Sequence, residues 1–194
     1  MVEAILRAAA QLFADLGYAR TTTNKVAERA GVSVGSLYQY FPNKDSLLAV
    51  LLQRHVAEAH AAVGGALRLL ADPAVPLDVG IGALLDRLVA LHEADPELTQ
   101  ALSPSVLRES AAADGHHDHP GDAALVDRVA ALLAARPDVR SGDHRAMAAV
   151  INQALGQLTP WLVHEPPPNV DREGLVAEVK LLVVAYLRGS PAQS

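Results

Sequence analysis

The chain has 194 residues, a formal net charge of −6 and a composition that is 51% hydrophobic but only 4% aromatic. A core that must come from Leu, Val and Ala suits helices better than sheets, and the lack of cysteine excludes disulfide scaffolds, thiolate metal sites and cysteine nucleophiles. No apolar run approaches the roughly 18 residues that cross a bilayer, and Glu3 without a following small-residue cleavage site argues against a secretory leader, so a cytoplasmic, all-α protein without membrane partners is expected.

In chain order, Ile5, Leu6, Ala9, Leu12, Phe13 and Leu16 recur at helical spacing, and Gly17 sits where that helix stops. A second helix begins at Thr21 or Thr22, both good N-caps, and buries Val26, Ala27 and Ala30. Gly31-Val32-Ser33 forms a tight turn, with Ser33 capping a third helix that carries Leu37 and Phe41 inward and ends at Pro42. Asn43 caps a fourth helix, with Asp45 in its first turn and Leu47, Leu48, Leu51 and Leu52 on its apolar side. That helix is expected to reach about Val63 and end near Gly64-Gly65.

Pro73 and Pro76 mark a loop before an apolar helix through Ile81, Leu84, Leu85, Leu88 and Leu91. Pro96 suits the first turn of another helix, which Pro104 bends or breaks. Ala111 to Pro120 is polar and reads as a surface loop, and a helix from about Asp122 to Ala135 ends at Arg136-Pro137. Two long helices, Asp143 to His164 and Asp171 to Arg188, complete the chain. The expected organisation is a three-helix helix-turn-helix domain over residues 1–50, linked by a helix over 43–63 to a helical regulatory and dimerisation domain over 51–194.

Helix, three-residue turn and helix is how a protein lays one helix in the major groove of DNA. Charge points the same way: residues 1–50 hold five basic and four acidic side chains, whereas residues 51–194 hold eleven and eighteen. The phosphate backbone selects for local positive charge, not for whole-chain charge. Gly35 and Ser36 at the start of the third helix leave room for backbone approach to base edges. Gln39 offers both donor and acceptor to adenine, and the Tyr38 ring suits a thymine methyl or, through its hydroxyl, a phosphate. Tyr40, Lys44 and Thr22 stand where phosphate contacts fix the register. Thr23, Ser33 and Val34 complete the candidate DNA-binding set. Singly, each has a plainer use: ring packing for the tyrosines, solvation for Lys44, helix capping for the threonines.

Gly17-Tyr18, Thr21-Thr22, Val26-Ala27, Ala30-Gly31-Val32-Ser33, the run from Gly35 to Phe41, and Asn43-Lys44 together resemble the N-terminal domain of TetR-type transcriptional regulators. The resemblance covers roughly the first 50 residues and implies the DNA-contact roles just described. The remainder is similar in architecture alone. The chain also begins almost inside its first helix, whereas the family often carries a polar or basic arm there.

The last two helices carry wide apolar stripes, which either a subunit core or a dimer interface explains. In TetR-like proteins the last two long helices pair with their symmetry mates, so the resemblance implies a homodimer whose interface includes Ile151, Leu155, Leu158, Leu175, Val179, Leu182, Val183 and Tyr186. Such a dimer presents two recognition helices to a palindromic operator in double-stranded DNA. Asn152, Gln153, Gln157, Trp161 and His164 place polar groups and one large aromatic on an apolar helix, where they either line a ligand pocket or face solvent. His116, His117, Asp118 and His119 have metal-ligand side chains, but neighbours on a loop rarely converge without a distant fourth ligand, so no metal and no cofactor is expected. The expected function is a non-enzymatic, DNA-binding repressor released by a small-molecule effector. The alternatives are an activating or ligand-independent regulator and, from another class, a metal-dependent enzyme using the histidines.

Overall fold

A computed structural model describes residues 1–114, 120–164 and 166–189. Its regular elements are α1 (Val2–Arg20), α2 (Thr23–Ala30), α3 (Val34–Tyr38), α4 (Lys44–Ala71), α5 (Leu77–Ala94), α6 (Pro96–Ala101), α7 (Pro104–Asp114), α8 (Pro120–Ala134), α9 (His144–His164) and α10 (Arg172–Arg188). The fold is all-α, with no strand among the described residues. Among the described residues no helix is long and apolar enough to cross a membrane.

The chain forms two compact units. The first comprises Met1–Glu58 and Asp95–Asp118, the second Ala59–Ala94 and His119–Ser194. In the first unit Ile5, Leu12, Phe13, Val26, Leu37, Phe41, Leu47 and Leu48 close one core, and Leu98, Ala101, Leu102 and Val106 from α6 and α7 join it. A division of the chain at residue 50 therefore misses α6 and α7, whose apolar faces are spent on α1. In the second unit Leu70, Leu77, Ile81, Leu85, Met147, Ile151, Leu155, Leu162, Val179, Val183 and Leu187 form the core. Here α5 comes so close to α4 that a Cβ on Gly80 would lie 2.6 Å from Leu70 Cδ2.

Two elements differ from their sequence expectation. Helix α4 does not end at Gly64-Gly65 but continues to Ala71, and neither glycine adopts a positive φ. Each glycine costs a helix about 1 kcal/mol relative to alanine; burial of Val63, Ala66, Leu67 and Leu70 around them outweighs that. The polar segment from Ala111 is not all loop, because α7 continues through Asp114 and α8 already begins at Pro120. The histidines His116, His117 and His119, with Asp118, lie outside the described residues. Pro160 lies within α9, which is assigned as one helix across it.

Candidate nucleic-acid interface

The interface is built from the end of α1 onward. Gly17 adopts φ 78° and ψ 172°, which interrupts α1 and frees the backbone of its last turn. Thr21 is fully buried, its Oγ1 lying 2.8 Å from the Gly17 carbonyl and 3.1 Å from that of Leu12. Of the two candidate caps, Thr22 is therefore the one that starts α2, accepting the Lys25 N–H at 3.3 Å. The Ala19 N–H, also released by the break, is met by the Glu109 carboxylate of α7 at 3.2 Å.

Gly31 ends α2 in the left-handed region, at φ 68° and ψ 31°. Ser33 then caps α3, its hydroxyl accepting the Ser36 N–H at 3.0 Å and lying 2.8 Å from the Ser36 hydroxyl. Leu37 and Phe41 turn into the core. This fixes what α3 shows to solvent: Val34, Gly35, Tyr38 and Gln39, followed by Tyr40. Tyr38 and Tyr40 are 49% and 50% exposed, so ring packing inside the domain does not account for them. The Tyr38 hydroxyl lies 3.0 Å from Thr23 Oγ1, which ties the exposed face of α3 to the start of α2. A Cβ on Gly35 would find the Ser33 Oγ 3.9 Å away, an ordinary contact, so the folded chain itself has room for a side chain there.

At the start of α4, Asn43 caps the helix by accepting the Ser46 N–H at 2.8 Å. Lys44 is not an ordinary solvated lysine. Its ammonium donates to the Tyr18 carbonyl at 2.7 Å and sits 3.9 Å from the centre of the Tyr18 ring. That ring stacks on Phe13, and its hydroxyl donates to Asp45. Tyr18 thus orients both charged residues that open α4, a role that lies across 26 residues of sequence and carries no local signal.

Of the ten residues singled out for DNA contact, Thr23 is tied to Tyr38 and Ser33 to Ser36, while Lys44 is held on the Tyr18 carbonyl at the end of α1. The residues singled out in the second unit fall differently. Ile151, Leu155, Val179 and Val183 are buried in its own core, with Leu158, Leu175 and Tyr186 partly buried against it. Leu182 is 57% exposed and is joined on α10 by Leu181 at 61%. Val150 and Trp161 are the large apolar residues exposed on α9.

The polar set on α9 is split as well. Gln153, Gln157 and Trp161 lie on its exposed face, while Asn152 and His164 are partly buried. The polar pair inside the second unit was missed by sequence reasoning. His92 Nε2 lies 3.1 Å from Thr159 Oγ1, which in turn donates to the Leu155 carbonyl at 2.7 Å. A single histidine on an apolar helix does not announce a partner 67 residues away. Among the described residues no three His, Asp or Glu side chains are grouped to hold a metal ion.

Comparison with known proteins bears on both halves. Residues 5–51 match the family model described as bacterial regulatory proteins, tetR family, and residues 76–187 match a tetracyclin repressor-like C-terminal domain. The HTH-type transcriptional repressor KstR of Rhodococcus jostii (strain RHA1) is 30% identical over 181 residues, covering 92% of this chain and 81% of its own. The HTH-type transcriptional activator FasR of Mycolicibacterium smegmatis is 39% identical over 82 residues, covering 42% of this chain and 37% of its own. The structure of the fatty acid degradation regulator FadR from Bacillus halodurans superposes with a TM-score of 0.72 at 20% identity, covering 96% of each chain, a likeness of fold.

Proposed function

We infer the function from one premise: the chain belongs to the tetR family of bacterial regulatory proteins. It is a DNA-binding transcriptional regulator. Within that class our reading is a repressor that binds a palindromic operator as a homodimer and leaves it when a small molecule binds the second unit. The observation that carries the DNA side is the exposed face of α3. Val34, Tyr38 and Tyr40 leave apolar and aromatic surface in water beside Gln39, on a helix whose other side is anchored by Leu37. Gln39 is suited to adenine edges and Val34 or Tyr38 to a thymine methyl. Thr22, Tyr40 and Lys44 are suited to flanking phosphates.

A repressor is favoured because the relative named a repressor aligns along most of the chain, whereas the relative named an activator aligns over less than half. For the homodimer, Val150 and Trp161 on α9 with Leu181 and Leu182 on α10 supply exposed apolar surface. Ala149, Gly156, Ala177 and Ala185 lie exposed among them, and small residues let helices approach closely. For the effector, an apolar ligand entering the second unit near α5 and α9 would find His92 and Thr159 among the unit's buried polar groups. The effector must bind the off-DNA conformation better than the DNA-bound one, since otherwise it shifts no equilibrium.

The test is selection of bound duplexes from a random-sequence pool, followed by a promoter carrying the recovered sequence. The reading predicts enrichment of two inverted half-sites separated by about one helical turn or a multiple of it, and lower transcription when the protein is present. Failure to enrich any inverted repeat, or higher transcription, would contradict it.

A further inference from the structure

Three cations of the first unit share an arrangement that its other paired cations do not. Arg29 is bonded to Asp15 at 3.0 Å and Arg54 to Glu3 at 2.7 Å. Arg20, Lys25 and Lys44 instead converge on the carbonyls freed where Gly17 interrupts α1. Arg20 Nε donates to the Leu16 carbonyl at 2.8 Å, Lys44 Nζ to that of Tyr18 at 2.7 Å, and Lys25 Nζ to that of Arg20 at 2.9 Å. Among the described residues, none of the three lies within 4.0 Å of a carboxylate oxygen. A carbonyl orients a cation without neutralising it, so the three cations are positioned without being ion-paired, although Asp45 on the Tyr18 hydroxyl and Glu109 on the Ala19 N–H stand at the same corner.

That corner adjoins the face that reads DNA. Lys25 lies in the first turn of α2, its N–H bonded to the Thr22 cap, and Thr23 beside it bonds the exposed Tyr38 of α3. Arg20 and Lys25 are both exposed. We propose that Arg20 and Lys25 bind backbone phosphates of duplex DNA alongside Lys44, on a patch that the broken C-terminal turn of α1 organises. The proposal rests on the chain's being a DNA-binding regulator and adds Arg20 and Lys25 to the phosphate contacts proposed for Thr22, Tyr40 and Lys44. The carbonyls hold the two side chains in place before DNA arrives, which reduces the side-chain entropy lost on binding. One ammonium N–H of Lys25 is used on the carbonyl, and the others remain to donate to phosphate oxygens.

The salt dependence of binding separates this role from simple helix capping. Each phosphate contact contributes about 0.9 to the slope of log K against log salt concentration. The full chain and its Arg20→Gln/Lys25→Gln double variant are titrated with a duplex recovered by selection and with a scrambled duplex, over a series of salt concentrations. The expected result is a slope shallower by about 1.8 in the double variant and by about 0.9 in each single variant, with the same change on both duplexes. The charge-retaining Arg20→Lys/Lys25→Arg pair is expected to keep the wild-type slope, which guards against a Gln variant that merely misfolds. An unchanged slope with a lowered melting temperature would make the two residues helix caps alone and overturn the proposal. So would a loss confined to the selected duplex. Failure of the wild-type chain to bind either duplex would instead overturn the DNA-binding reading itself, and it is seen before any variant is made.

Discussion

Arg136 shows how much a single residue can hold in place. Its side chain is buried, yet it ends where a sequence reading sees just the close of a helix before Pro137. The guanidinium donates to the carbonyls of Leu70 at 3.0 Å, Asp72 at 3.2 Å and Val75 at 2.8 Å, fastening the α4–α5 connection. It also forks onto both carboxylate oxygens of Asp138, at 2.8 and 2.9 Å. Replacing it with Met removes the donor that Arg136 gives to the Leu70 and Val75 carbonyls, while the Asp72 carbonyl keeps the Val75 N–H at 3.1 Å. The expected loss of stability is roughly 3–5 kcal/mol, read by denaturant unfolding. The Arg136 hydrogen bond also holds the Asp138 carboxyl below its ordinary range. A lowered folded-state value gives stability that is present above the ordinary carboxyl pKa, near 4, and lost as pH falls through the lowered value. Arg136→Met is expected to remove that acid-limb dependence. None of this is legible in sequence, since an arginine before proline carries no sign of three carbonyls from a loop some sixty residues earlier.

At the scale of elements, the legible parts are those fixed by local chemistry. The Thr22 and Ser33 caps, the left-handed Gly31 and the inward Leu37 and Phe41 each follow from a residue and its neighbours within one turn. Helix α3 and the two caps before it are therefore legible in the sequence. The outward face of α10 is not. That helix is apolar on more than one side, so periodicity cannot say which stripe meets the subunit's own core. The structure gives Val179 and Val183 to the core and leaves Leu181 and Leu182 outside. The length of α4 was hidden for a related reason, because two glycines signal an end while burial on either side overrides them. The proposed dimer follows the outward stripe. Leu182→Glu is expected to keep the fold by circular dichroism but shift the protein to monomer in sedimentation, since like charges would meet near the two-fold axis. A dimer of undiminished strength would place the interface elsewhere.

At the scale of the whole molecule, charge and burial divide the labour. The net charge of −6 belongs to residues 51–194, whereas residues 1–50 carry a small positive excess. The first unit also takes in acidic residues of α6 and α7, Glu97 and Glu109 among them, so any attraction to phosphate is local and not a property of the whole unit. Helices α6 and α7, though distant from α1 in sequence, share its core, and Glu109 reaches the backbone beside Tyr18. The broken end of α1 is therefore anchored by residues drawn from the middle of the chain as well as its start. This is a long-range arrangement that chain order conceals.

If the surface of α3 serves DNA and not the fold, a change at Gly35 separates the two. An added Cβ meets nothing closer than 3.9 Å in the chain itself, so Gly35→Ala is expected to leave the melting temperature unchanged or to raise stability by up to about 0.5 kcal/mol. The same methyl would stand between the helix backbone and the base edges. Measured on one selected duplex, with thermal unfolding in parallel, the affinity of Gly35→Ala is expected to be weaker by roughly tenfold or more, about 1.4 kcal/mol, in a protein as stable as wild type. Undiminished affinity for that duplex in an equally stable Gly35→Ala protein would contradict that role for the α3 surface.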